Sequence, residues 1–292
     1  MSLSPDELDR LLGENARLIR KDKADERLRR YWDLSSLSVR GTAPQPCLDF
    51  HQDLSFGRIL EGGNKSAKST AGCVESYWWS TGTHPFRPTP KPPCKGRIIV
   101  PELPLGEKPH PIRDLVKFWY PEDCFLGGSW EKAWQIQART LLLNNESKIE
   151  FVSWQSVELA QAGLQDVAWV WFDEELPRYY WVENKTRVDR QGSGWWMTYA
   201  PTGRYPWIDK ELVEETDAGK HPGFQCFHVT VYDNSHNLDF SIEQWAEGMS
   251  DSEKARRLYG KTDVVEGRIF DLDVPVTKLT GDDFDLEHQE PE

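Results

Sequence analysis

Long apolar runs are missing from this 292-residue sequence, and no segment reaches the roughly 20 apolar residues that a membrane-crossing helix needs. The N-terminus, Met1-Ser2-Leu3-Ser4-Pro5-Asp6-Glu7, carries neither the basic nor the apolar stretch of a secretory signal, so no membrane partner is expected. Cysteine is sparse and odd in number. Cys47, Cys73, Cys94, Cys124 and Cys226 are scattered and never spaced as Cys-x-x-Cys, which argues against a zinc site and for reduced thiols in a cytoplasmic setting. Positive charge is in deficit. The 35 Lys and Arg against 48 Asp and Glu leave a net charge of −13, which excludes bulk electrostatic coating of nucleic acid but not a local grip on it. Tryptophan is in excess at 14, and pairs such as Trp78-Trp79 and Trp195-Trp196 read as core and rim packing.

What is there begins after the apolar run Phe56-Gly57-Arg58-Ile59-Leu60. Glu61-Gly62-Gly63-Asn64-Lys65-Ser66-Ala67-Lys68-Ser69-Thr70 reads as a strand, a glycine-led loop and a Lys-Ser pair opening a helix. That is the layout of a phosphate cradle: backbone N–H groups face phosphate oxygens, a lysine reaches the outer phosphates, and the next hydroxyl binds Mg²⁺. Those two roles fall to Lys68 and Ser69. Ala67 stands where the usual pattern has Gly, and a methyl is tolerable there if the backbone keeps φ negative.

A second motif supplies acids. Val167-Ala168-Trp169-Val170-Trp171-Phe172 is a continuous apolar run, consistent with a strand buried on both faces, and it ends in Asp173-Glu174-Glu175. Carboxylates at the C-terminal end of a central strand lie where open α/β sheets bind ligands. One would hold Mg²⁺ through its water shell and the next would polarise an attacking water. A phosphate loop and such a strand together indicate a P-loop ATPase.

The expected fold class is α/β, a mostly parallel central sheet flanked by helices, with a small helical lid. Residues 1–36 form an N-terminal helical segment, residues 37–238 the ATPase core, residues 239–275 the lid, and residues 276–292 an acidic, disordered tail. Strands are predicted at Arg58–Leu60, Arg97–Val100, Ile149–Trp154, Ala168–Phe172, Gly194–Tyr199 and Phe227–Tyr232. The lid reads as two short helices, the second stopped by Gly260.

Ordered in this way, the motifs resemble the ATPase half of the large terminase subunit, the DNA-packaging motor of tailed bacteriophages, over most of residues 40–270. Gln45 is similar to the adenine-reading glutamine ahead of the phosphate loop; a glutamine amide can pair a donor and an acceptor with adenine's edge. Ser80-Thr81-Gly82-Thr83-His84-Pro85 resembles the turn after the loop's helix, and Asp173-Glu174-Glu175-Leu176-Pro177 the acidic signature. Phe151-Val152-Ser153-Trp154 with Gln161-Ala162-Gly163 resembles the element leading into the acidic strand. Trp196-Met197-Thr198-Tyr199-Ala200-Pro201 is similar to the coupling motif, in which Thr198 senses the γ-phosphate and Pro201 passes the change on. Gly260 with Gly267-Arg268-Ile269-Phe270 resembles the end of the ATPase region.

The resemblance implies ATP across the strand ends, its phosphates in the loop from Gly62 through Thr70, and Mg²⁺ held by Ser69 and, through water, by Asp173. Glu174 is the implied base and Glu175 a structural hydrogen-bonding residue, although the two could trade places. A further cation on the γ-phosphate comes from Arg139, supplied by a neighbouring subunit, with Arg113, Arg204 and the in-loop Lys65 as alternatives. Implied partners are double-stranded DNA, the portal protein, the small terminase subunit and further copies in a ring on the procapsid, in the host cell cytoplasm. The family's nuclease half has no expected counterpart; Asp271 and Asp273 are too isolated to hold two metals, so it is absent from this piece or carried on another polypeptide. Two other readings stay open: a different DNA-linked ATPase, helicase-like or remodelling, and a catalytically weak nucleotide-binding scaffold.

Overall fold

The computed structural model describes Leu28, Tyr31 and residues 43–103, 108–155, 166–188, 193–234, 237 and 239–261. The expected acidic tail, the Gln161-Ala162-Gly163 element, the Gly267–Phe270 motif and nearly all of the N-terminal segment lie outside these. Leu28 and Tyr31 are buried in the core.

Eight strands form a single sheet: β1 (Gly57–Gly62), β2 (Lys95–Val100), β3 (Trp134–Gln135), β4 (Thr140–Leu142), β5 (Lys148–Ser153), β6 (Trp169–Asp173), β7 (Gly194–Tyr199) and β8 (Phe224–Val229). Their spatial order is β3-β4-β5-β2-β6-β7-β1-β8. From β5 to β8 every pairing is parallel, while β4 joins β5, and β3 joins β4, in antiparallel fashion. The helices are α1 (Gln45–Gln52), α2 (Lys68–Thr81), α3 (Pro111–Trp119), α4 (Trp130–Ala133), α5 (Arg178–Lys185), α6 (Glu214–Asp217), α7 (Asp239–Ala246) and α8 (Asp251–Tyr259). This is the expected α/β class.

The two faces of the sheet hold separate cores, and β6 shows why. Its side chains alternate: Trp169 and Trp171 join the core under α1, α2 and α3, whereas Val170 and Phe172 join the core under α5. A strand sandwiched between two helical layers is largely apolar on both faces, and all five residues of β6 are buried, its final Asp173 included. The tryptophans fit because glycine lies opposite. A Cβ on Gly96 would fall 2.0 Å from the indole of its β6 register partner Trp169, and one on Gly57 would fall 2.3 Å from that of Trp195.

The expected last strand shifts. Phe227–Tyr232 was the predicted span, but pairing with β1 runs from Phe224 to Val229. Beyond it Thr230 and Asp233 close a capping box, Asp233 Oδ2 accepting from the Thr230 N–H at 2.7 Å, which tightens Val231–Asp233 into a helical turn. The β3–β4 hairpin and helices α1 and α3 were not foreseen. Helix α8 was: Ser250 and Glu253 form a capping box at its start, and Gly260, at φ +65°, ends it in the left-handed conformation. Val231, Ile242 and Leu258 form a small core of their own beneath α7 and α8.

Candidate active site

The loop from Gly62 to Ala67 leaves β1 and enters α2 at Lys68, so the glycine-led loop and the Lys-Ser pair share one crossover. Lys68 is buried, its Nζ donating to the Gly63 carbonyl at 3.1 Å, and Ser66 Oγ donates to the same oxygen at 2.8 Å. Ala67 corrects an expectation. Its φ is +71°, not negative, so an alanine occupies the left-handed conformation that glycine adopts freely. Lys65 is also left-handed, at φ +59°. The turn into α2 forces this geometry, and no side-chain cap offsets it.

Asp173 ends β6 and pairs in register with Thr198 of β7. Register alone therefore sets the contact in which Thr198 Oγ1 donates to Asp173 Oδ1 at 2.9 Å, while accepting from Trp171 Nε1 at 2.7 Å. The same Asp173 oxygen accepts from Ser69 Oγ at 3.1 Å, across 104 positions of sequence. Phosphate loop, acidic strand and the Thr198 motif thus converge on one carboxylate.

The next two acids diverge. Glu174, at φ +74°, swings out of the strand direction, and its Oε2 accepts from the Ala200 N–H at 3.4 Å. Glu175 turns to the loop after β7, accepting from the N–H groups of Thr202 at 2.7 Å and Gly203 at 3.3 Å, and from the Thr202 hydroxyl. Its carboxylate is taken up by that loop, with partners distinct from those of Glu174. Burial, then the charge of Glu174, pushes the Asp173 carboxyl up to about 7, with Thr198, Lys68 and Ser69 opposing. Burial likewise raises Glu174, and Lys68 opposes it.

A cavity of about 650 Å³ opens over Ser69, Thr70, Asp173 and Glu174, with Pro101 and His110 on its far wall. Its donors suit a hard divalent cation: a hydroxyl and a buried carboxylate are the oxygen ligands Mg²⁺ takes, and two acids raised by burial gain from a cation beside them. The fit is good. Ser69 and Asp173 would hold such an ion.

The other candidates lie apart. Gln45 is exposed at the first residue of α1 and donates to Asp49 at 2.7 Å. Pro201 is buried in the loop after β7 that Glu175 anchors. Arg139, at φ +49°, sits in the turn before β4, five strands from β1. At about 4.8 Å per strand that is on the order of 24 Å, so it does not reach this chain's own loop. Arg113 stacks on Trp134 and is bonded to the Lys108 carbonyl, and Arg204 lies over Trp154 and Tyr205. Lys65 Nζ rests 3.3 Å over the Trp245 ring centroid, held by α7 rather than turned into the loop. Asn64 is exposed and donates its N–H to Arg257 O at 2.7 Å.

Sequence reading missed the support beneath the loop. Arg58, in the middle of the apolar run, and Glu75, about two turns into α2, form a fully buried pair joined by His51, His84 and Trp79. A charged residue inside an apolar strand was the available signal.

No family model matches the chain. Over 104 residues, 35% of this chain and 20% of the relative, it is 30% identical to the large terminase subunit of Salmonella phage P22. Among solved structures it is similar to the large terminase of thermophilic bacteriophage D6E in complex with ADP, at TM-score 0.51 and 14% identity, covering 81% of this chain and 52% of that one. It is also similar to the large terminase ATPase domain of Thermus phage P74-26, at TM-score 0.52 and 17% identity, covering 77% of this chain and 96% of that one. The chain therefore spans about half the length of the D6E protein and nearly all of the P74-26 domain. The chain has the fold of the ATPase domain of large terminases.

Proposed function

We propose that this chain hydrolyses ATP as the motor unit of a viral DNA-packaging machine. One observation carries the reading: the 3.1 Å hydrogen bond from Ser69 to Asp173, which joins the phosphate loop to the acidic strand end and sets Ser69, Asp173 and Glu174 around a common cavity. The triphosphate lies along the loop, and the Lys68 ammonium, released from Gly63 O, turns to the outer phosphate oxygens. Ser69 and, through water, Asp173 would hold Mg²⁺, which would supply neutralisation of the phosphate charge. Glu174 orients the attacking water and accepts its proton as the oxygen bonds to phosphorus and ADP leaves. A carboxylate base of this kind contributes about 10²–10⁴-fold.

Thr198 shares Asp173 with Ser69, so a change at the metal side is felt directly by β7 and, through Pro201 and the Glu175-bound loop, beyond it. That linkage supports coupling of hydrolysis to movement of double-stranded DNA into a procapsid. The fold's likeness to terminases supports the portal protein, the small terminase subunit and a ring of like subunits as partners, and the host cytoplasm as the place. What supports Arg139 as a residue given to a neighbour is its site at the sheet margin, out of reach of its own loop. The strained Ala67 favours one second reading, a slow or non-hydrolysing scaffold. Phosphate release by the purified protein, with and without double-stranded DNA and with Lys68→Ala as control, decides between them. Tight ATP binding without turnover in either condition would favour the scaffold and sink the motor.

A further inference from the structure

The strand order fixes which way a bound nucleotide points. The acids that act on the γ-phosphate stand at the end of β6, the loop stands over β1, and β8 lies on the opposite side of β1. A triphosphate with its outer end toward β6 therefore carries its nucleoside toward the end of β8. Two segments meet there. The turn after β8 touches the loop, as Asn234 Nδ2 donates to Lys65 O at 2.8 Å. The end of α8 touches it too. A Cβ on Gly63 would fall 2.4 Å from Leu258 O, and one on Gly260 would fall 2.6 Å from Gly62 Cα, so backbone lies directly on backbone.

Each segment presents one tyrosine. Tyr232, two residues before Asn234, and Tyr259, next to Gly260, lie with ring centroids 5.6 Å apart and planes at 33°. They are 48% and 44% exposed, in contrast with the aromatics that fill the two cores. Their chain neighbours are anchored: Val231 and Leu258 are buried in one small core. A half-exposed aromatic pair fixed at the nucleoside end of a phosphate loop is suited to the flat face of a base, since stacking needs an ordered π-surface and no hydrogen-bond match.

We infer that Tyr232 and Tyr259 form the stacking platform for the nucleobase of the bound nucleoside triphosphate. This rests on the nucleotide-hydrolysing reading above and names the part of the site that recognises the substrate's base. Purines, with the larger face, gain most. Stacking alone does not choose between adenine and guanine. Recognition thus divides: the loop holds phosphate, the tyrosines hold the ring.

Calorimetric titration of the whole chain with Mg²⁺-ATP and with Mg²⁺-tripolyphosphate, which lacks a base, tests this. Tyr232→Ala and Tyr259→Ala each weaken ATP by about 5- to 150-fold, the range that corresponds to roughly 1–3 kcal/mol of base stacking, and leave tripolyphosphate unchanged. Tyr259→Phe keeps the ATP affinity, and Lys68→Ala weakens both ligands. Equal loss of both ligands in the Tyr→Ala variants, or loss of neither, overturns the platform. A parent chain that binds tripolyphosphate as tightly as ATP overturns the platform alone, whereas one that binds neither overturns the nucleotide reading and the platform with it.

Discussion

The guanidinium of Arg58 and the carboxylate of Glu75 lie 2.5 Å apart with neither side chain exposed, tying the strand that enters the phosphate loop to the helix that leaves it. Glu75 also accepts from Trp79 Nε1 at 2.6 Å and bonds His51 Nδ1 at 2.6 Å and His84 Nε2 at 3.1 Å, so one carboxylate holds four groups in place. The loop's geometry depends on the angle between β1 and α2, and this pair sets it from below.

Removing one partner leaves the other charge buried. Glu75→Gln is expected to cost about 3–5 kcal/mol, read as a lower urea midpoint at pH 7. Burial by itself would raise the Glu75 carboxyl, but Arg58, then His84 and the His51 hydrogen bond, hold it well below its ordinary 4.5. A carboxyl depressed by folding contributes stability above that ordinary value, and the contribution is lost as pH falls. The gap between parent and Glu75→Gln should therefore narrow from pH 7 to pH 3.5; a constant gap would refute the buried ion pair.

Ala67 at φ +71° bears the steric cost of a left-handed L-residue. That cost is about 1–2 kcal/mol, of which glycine gives back part through its freer unfolded chain. Ala67→Gly should stabilise by about 0.5–1 kcal/mol, and Ala67→Val should destabilise by more. Thermal melting of the three chains measures both signs, and a destabilised glycine variant would mean the loop adopts another conformation.

Glu174 and Glu175 are adjacent in sequence but differ in attachment. Glu174→Gln should lower kcat by about 10²–10⁴-fold while the affinity for ATP is kept. Glu175→Gln weakens the hold on Thr202 and Gly203, and its loss should appear in stability and in DNA-stimulated turnover more than in the basal rate. Equal basal rates for Glu174→Gln and the parent would remove it as the base.

Thr198→Val keeps the shape and deletes the hydroxyl, leaving the buried Trp171 N–H without its acceptor. An orphaned buried donor costs about 1–3 kcal/mol. Thr198→Ser should restore most of the stability and of the metal-dependent rate. If valine matched threonine in both assays, the Trp171–Thr198–Asp173 chain would be mere packing.

Much of this protein was legible because its signals are local. The apolar run Val167–Phe172 was consistent with a strand covered on both faces, and β6 is one. Gly260 could end a helix for the reason any left-handed cap does. Lys68 and Ser69 open α2 as their pattern requires. The hairpin at β3 and β4 was not legible, since strands of two and three residues leave no periodicity to read. Nor was the boundary of β8, where Thr230 and Asp233 compete for the backbone at the end of the apolar run.

The sequence by itself determined the order of the motifs and the chemistry each can perform, because loop, hydroxyl, ammonium and carboxylate are properties of residue type and short spacing. Only the tertiary structure decided which of them meet. The parallel register of β6 with β7 brought Thr198 to Asp173, the β1–α2 crossover brought Ser69 to the same oxygen, and the strand order kept Arg139 away. The sign of φ at Ala67 was likewise decided by the angle at which the strand must hand over to its helix, a constraint that no neighbouring residue type reveals.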